Sequence, residues 1–178
     1  MHMTDNDNTR RTPVRRIAFC AAMSAAAVAL SAAESLVPVP VPAPGVRLGL
    51  ANVVTLILLA GDRNPAYALS VTVVRCFLAA LMFGAFSSLI YSLAGGVVSC
   101  MIMWLLTRLD AAFSLVGTSV AGALAHNMTQ LAAAAALAGD PAVFGYLPVL
   151  LIAGVLTGCA TGFAAQRVMN IRMMRFPA

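Results

Sequence analysis

Three ionisable side chains, Glu34, Arg75 and His126, lie inside long runs of apolar residues. A charge at the centre of a bilayer costs about 2.5–3.5 kcal/mol on insertion scales, so each needs a partner or a task. One use is structural: Glu34 pairs with Arg75 or with Arg47 and locks neighbouring helices together. The other is a polar pocket opening outward, in which arginines receive an anionic or polar solute. The run around His126 speaks for a pocket wall, because Ser119, Gly122, His126, Asn127 and Gln130 occupy the same few helical turns. His126 and Gln130 are four apart and share a face, with Gly122 one turn earlier to admit a ligand or a neighbouring backbone. Asn127 is offset by about 100° and faces either a ligand or the following helix. A lone polar residue would more often be interhelical glue. Three donor-acceptor side chains within five residues favour a binding face, since unsatisfied polar groups are expensive in hydrocarbon.

Other chemistries find little support. The acids Asp5, Asp7, Glu34, Asp62, Asp110 and Asp140 are scattered singly, so no carboxylate cluster is expected to hold Mg²⁺ for phosphoryl or prenyl chemistry. The chain contains no lysine, which excludes a Walker motif, and any ATP must be hydrolysed by a partner. Cys20, Cys76, Cys100 and Cys159 each fall inside an apolar run without metal-ligand spacing and read as small hydrophobes. The expectation is a non-enzymatic chain with no catalytic residue, metal or cofactor of its own.

The elements that must position these groups follow from composition. Of 178 residues, 61% are hydrophobic and 10% charged, against about 25% charged in an ordinary soluble domain. So short a chain cannot hide that much apolar surface from water, and lipid is the solvent that accommodates it. Residues 1–16 are polar and arginine-rich and are expected to be a disordered cytoplasmic tail. Six apolar runs follow: 17–37, 48–60, 66–83, 86–107, 113–138 and 144–168, with a basic C-terminal tail over 169–178. Pro38, Pro40, Pro42 and Pro44, then Gly45, make a stiff extended connection after the first run. The expectation is an all-α membrane bundle of about six spans. The second run is short for a full crossing.

The basic residues, 11 in all and every one arginine, sit at the ends of the apolar runs rather than on a polar face interleaved with aromatics, which argues against nucleic acid. With the N-terminus inside, nine of them fall on the cytoplasmic side, Arg47 alone falls outside and Arg75 lies within the third span. That asymmetry predicts six spans with both termini in the cytoplasm. Two stripes of small residues complete the pattern. One is Ser88, Ser92, Gly95, Gly96 and Ser99; the other comprises the first-run ridges Ala18, Ala22, Ala26 and Ala21, Ala25, Ala29, Ala33. Both permit close approach of another helix.

Glu34-Ser35 ahead of the proline loop, the stretch Pro44-Gly45-Val46-Arg47-Leu48-Gly49-Leu50-Ala51-Asn52, Arg75, Phe83-Gly84, Ser92 with Gly95-Gly96, Gly122-Ala123 with His126-Asn127 and Gln130, and Tyr146-Leu147-Pro148 together resemble the Gx transporter family. Its members are also labelled heptaprenyl diphosphate synthase component I, and the resemblance covers roughly residues 17–168. That family is similar to the substrate-binding S components of energy-coupling factor transporters. The resemblance implies a six-helix subunit of a bacterial cytoplasmic membrane, joined to a membrane coupling protein and two cytoplasmic ATPases. It implies an outward pocket for a small molecule at Glu34, Arg47, Asn52, Arg75, Ser92, His126, Asn127 and Gln130, with the proline loop as its cover. It also implies docking of the coupling protein on Ala18, Ala22, Ala25, Ala26 and Ala29. The synthase label offers a second expectation, a non-catalytic accessory subunit of isoprenoid synthesis.

Overall fold

The computed structural model describes residues 5–36, 48–62, 64–83, 86–109 and 113–171. Six α-helices appear in chain order: α1 (Asp5–Ser35), α2 (Asn52–Asp62), α3 (Pro65–Phe83), α4 (Phe86–Arg108), α5 (Leu115–Ala138) and α6 (Leu147–Asn170), with a 3₁₀ segment, Pro141–Tyr146, leading into α6. The described residues contain no strand.

Local chemistry marks the helix ends. Pro65 opens α3, where its missing N–H is no loss, and the Asn64 side chain accepts from the Ala66 amide at 3.0 Å. Ser114 caps α5 by accepting from the Gly117 amide at 3.0 Å. Gly139, at φ 65°, terminates α5 in the left-handed conformation that glycine adopts without penalty. The Asp140 carboxylate then accepts from the Ala142 amide at 2.8 Å and starts the 3₁₀ turn.

Two boundaries differ most from the sequence reading. Helix α1 extends back to Asp5 through residues expected to be a disordered tail, because adding turns to an existing helix is far easier than nucleating one. Helix α2 begins at Asn52 rather than Leu48, since the chain first turns through Gly49, whose φ is 83°. The proline loop and Arg47 lie outside the described residues.

Among the described residues, four stretches are long and apolar enough to cross a membrane: Val14–Ser35, Pro65–Met82, Leu89–Arg108 and Pro141–Asn170. Helix α5 has 24 residues but is less apolar, because His126, Asn127 and Gln130 interrupt it. Its neighbours explain how it tolerates them: α5 is sandwiched between α4 and α6. Helix α2, with 11 residues, rises only about 16 Å, roughly half of a hydrocarbon core. It touches all five other helices, and every residue from Val54 to Leu59 is buried. Leu56, Leu58 and Leu59 thus form the centre of the apolar core, with Ala27, Val71, Met103 and Ala165 around them.

The α5–α6 seam depends on a glycine ladder at four-residue spacing, Gly154, Gly158 and Gly162. A methyl group at Gly158 would stand 2.6 Å from Val120 Cα, and one at Gly162 would stand 2.7 Å from Val116 Cα. Backbone-to-backbone approach of this kind is how helices adhere in lipid, where burial of apolar surface offers no preference between tail and neighbour. Ser119 and Thr161 add a hydroxyl–hydroxyl bond of 2.8 Å across the same seam. Outward faces carry Phe77, Leu81, Met101, Leu105, Ile152, Leu156 and Phe163. Polar groups are inside and large apolar groups outside, the arrangement of a protein solvated by lipid.

Candidate functional site

One end of the bundle gathers the polar residues. Successive helices run in opposite senses, so the end of α1, the start of α2, the second half of α3, the first half of α4 and the second half of α5 meet at one level. Glu34, Arg75, Ser92 and His126, with Ser31, Gly49, Cys76 and Ala79, surround a common cavity of about 10 Å³. That is room for roughly one water molecule. Glu34, Arg75 and His126 are 2%, 5% and 2% exposed, so all three ionisable groups flagged by the sequence sit together, away from lipid.

The Glu34 carboxylate accepts a hydrogen bond from the Gly49 amide, which ties the last turn of α1 to the turn ahead of α2. Gly49 is a true glycine position. Its φ of 83° disfavours any side chain, and an added Cβ would meet Asn52 Nδ2 at 3.0 Å and His126 Cδ2 at 3.1 Å. A polar chain continues inward: Arg75 Nη2 donates to Asn52 Oδ1 at 3.5 Å, and Asn52 Nδ2 donates to Ser99 Oγ at 3.3 Å. Below it Thr55 and Thr72 share a hydroxyl bond of 3.0 Å. Among the described residues, Arg75 Nε and the Ser92 hydroxyl have no hydrogen-bond partner although both atoms are buried. Buried polar atoms of that kind call for a water or a ligand.

Helix α4 contributes space rather than ligands. A methyl group at Gly95 would lie 2.9 Å from Gln130 Cγ and 3.0 Å from His126 Nδ1, and one at Gly96 would lie 2.8 Å from Thr72 Cγ2. The two glycines therefore let α4 close upon both α5 and α3 and bring His126 against the cavity.

The predicted binding residues separate into groups. Glu34, Arg75, Ser92 and His126 line the cavity, and Asn52 reaches it through Arg75. Gln130 is fully buried against Gly95, one turn beyond His126 along α5. Asn127 faces the other way: its Nδ2 donates to the Leu150 carbonyl at 2.9 Å and packs beside Gly154, so it joins α5 to α6. The sequence reading takes Cys76 only as a small hydrophobe and does not single out Ser31, although Ser31 stands one turn before Glu34 on the same face and Cys76 follows Arg75. The glycine ladder of α6 was legible as a repeated small-xxx-small pattern and was also passed over.

Donors and acceptors of both charge signs converge here, and among the described residues no group of three or more His, Cys, Asp or Glu is placed to hold a metal ion.

A second feature lies on α1. Between residues 18 and 33 every exposed side chain is alanine: Ala18, Ala21, Ala22, Ala25, Ala26, Ala29 and Ala33. The lipid-facing sides of α3, α4 and α6 carry Leu, Ile, Phe and Met instead.

No curated protein matches this chain, nor does any solved structure. A family model does, described as heptaprenyl diphosphate synthase component I, and it spans residues 23–168. That span holds α2 to α5 entire, α6 as far as Val168, and every residue around the cavity. Matched over most of its length, the chain belongs to the heptaprenyl diphosphate synthase component I family.

Proposed function

We propose that this chain is the solute-binding membrane subunit of an energy-coupling-factor-type uptake transporter, crossing a bacterial cytoplasmic membrane six times with both termini inside. The observation that carries the reading is the convergence of Glu34, Arg75, His126, Asn52 and Ser92 from five helices at one end of the bundle. Burying that set is expensive, and a purely structural lock needs fewer groups. Under the proposed topology this end faces outward. The solute is a small polar or anionic metabolite held by Arg75, His126 and Arg47, and a coupling protein with two cytoplasmic ATPases supplies the energy for its release. The all-alanine face of α1 supports the docking half of the proposal. A helix meant only for lipid gains nothing from small side chains, whereas a partner helix gains close approach.

A second reading, an accessory membrane subunit that holds a prenyl diphosphate synthase, is favoured by the family description and by the cavity's size. Metabolite pockets typically enclose about 300–1,000 Å³, so solute binding requires the polar end to open.

Both readings are tested by purifying the tagged chain in mild detergent and measuring its melting temperature against a metabolite panel while identifying co-purified proteins. Solute-dependent stabilisation that Arg75→Ala and His126→Ala abolish, with recovery of a coupling protein and ATPases, supports the transporter. Recovery of a prenyl synthase with no solute effect favours the accessory subunit. Ala22→Leu with Ala26→Leu, both on the exposed face, is expected to leave folding intact and remove the coupling protein from the purified complex.

A further inference from the structure

Helices α1 and α3 enclose a lateral groove of about 810 Å³, far larger than the polar cavity. Its walls are apolar along most of their length: Ile17, Val71, Val74 and Leu78, with Cys20, Ala21 and Ala25 on the α1 side. One end is different. There the exposed Arg16 guanidinium donates to the Tyr67 hydroxyl at 3.4 Å, and Ser70 lies on the rim one turn further along.

The dimensions match one leaflet. From Arg16 to Ala25 along α1, and from Tyr67 to Leu78 along α3, the lining extends roughly 14–16 Å at 1.5 Å per residue. Half of a hydrocarbon core of about 30 Å is about 15 Å. The groove thus starts at an arginine and a tyrosine, both suited to the headgroup level, and ends near the midplane among Val74, Leu78 and Ala25. In the proposed topology that end is cytoplasmic, the leaflet where anionic lipid accumulates and where each arginine near the surface contributes about 1 kcal/mol of attraction.

We infer that the α1–α3 groove is a site for one anionic phospholipid, its phosphate at Arg16 and Tyr67 and one chain lying along Val71, Val74 and Leu78. The inference rests on the N-terminal end of α1 lying at the cytoplasmic surface and is independent of whether the polar cavity binds a solute. It has a consequence for assembly. Ala21 and Ala25 belong both to the groove wall and to the exposed alanine face, so a seated lipid and a docked coupling protein share part of one surface. The lipid covers this strip while the subunit is alone and yields it on assembly.

The test is native mass spectrometry of the full chain, released into detergent from nanodiscs of phosphatidylglycerol or phosphatidylcholine. One phosphatidylglycerol per chain is expected to survive, with phosphatidylcholine largely lost. Arg16→Gln should lower retention about fivefold, and Ser70→Phe, which fills the groove from its exposed rim, should abolish it. A photo-crosslinking residue at Val74 should capture lipid in membranes containing this subunit alone. Equal retention of the two lipids, unchanged retention in both variants, or crosslinks to protein only would overturn the inference. Melting temperatures of the variants, expected to equal the parent's in lipid-free detergent, separate a groove effect from misfolding.

Discussion

Replacing Gly158 by alanine adds one carbon where the main chains of α5 and α6 approach most closely. That carbon would sit 2.6 Å from Val120 Cα, 3.1 Å from Val120 N and 3.2 Å from Val120 Cγ2. Carbon atoms in good contact lie about 3.5–4.0 Å apart, so α5 and α6 must part by roughly 1 Å at this level. A main chain in mid-helix cannot swing aside as a side-chain tip can. A gap of that width forfeits about a quarter to a half of the dispersion energy of the contacts it opens, and overpacking of this kind costs about 1–3 kcal/mol. At a central value of about 2 kcal/mol, a chain of this size should melt roughly 4–8 °C lower. The assay is size-exclusion chromatography after graded heating in detergent. Gly145→Ala is the control, because nothing lies within 4 Å of a Cβ there, and it should melt within about 2 °C of the parent. If Gly158→Ala and Gly145→Ala melt together, the close approach of α5 and α6 at Val120 is wrong.

Three further outcomes follow from the polar end. Glu34→Gln and Arg75→Met each remove one charge from a buried site holding both signs, so the double variant should be less destabilised than the sum, with a coupling of at least about 0.5 kcal/mol in a double-mutant cycle; additivity would show that the two charges do not sense each other. Asn127→Ala loses the bond to the Leu150 carbonyl and should cost about 1 kcal/mol of stability while leaving solute affinity unchanged, in contrast to His126→Ala. A fall in affinity as large as that of His126→Ala would place Asn127 in the pocket after all. Gly95→Ala drives a methyl against His126 and Gln130, and it is expected to weaken solute-dependent stabilisation more than it lowers the melting temperature; the reverse order would make Gly95 a packing residue only.

Much of this was written in composition and periodicity. An apolar chain of 178 residues with all but one of its arginines at the ends of its apolar runs has few solutions besides a helical membrane bundle, because lipid admits only helices and closed barrels, and long continuous apolar runs suit helices. The same energetics flagged Glu34, Arg75 and His126 as residues that must be removed from lipid, and they are. Tertiary structure decided what the spacing left open. Asn127 and His126 are adjacent in the chain, yet Asn127 turns to the Leu150 carbonyl and His126 to the cavity, since a step of about 100° around a helix flanked on both sides gives each residue a different neighbour. The short second run became the central helix, all but enclosed, because α2 meets every other helix. Only the packed bundle revealed that the cavity admits about one water, that Gly49 closes onto Glu34, and that between residues 18 and 33 every exposed side chain of α1 is alanine. Those are relations between segments distant in the chain, and no local rule of propensity or periodicity contains them.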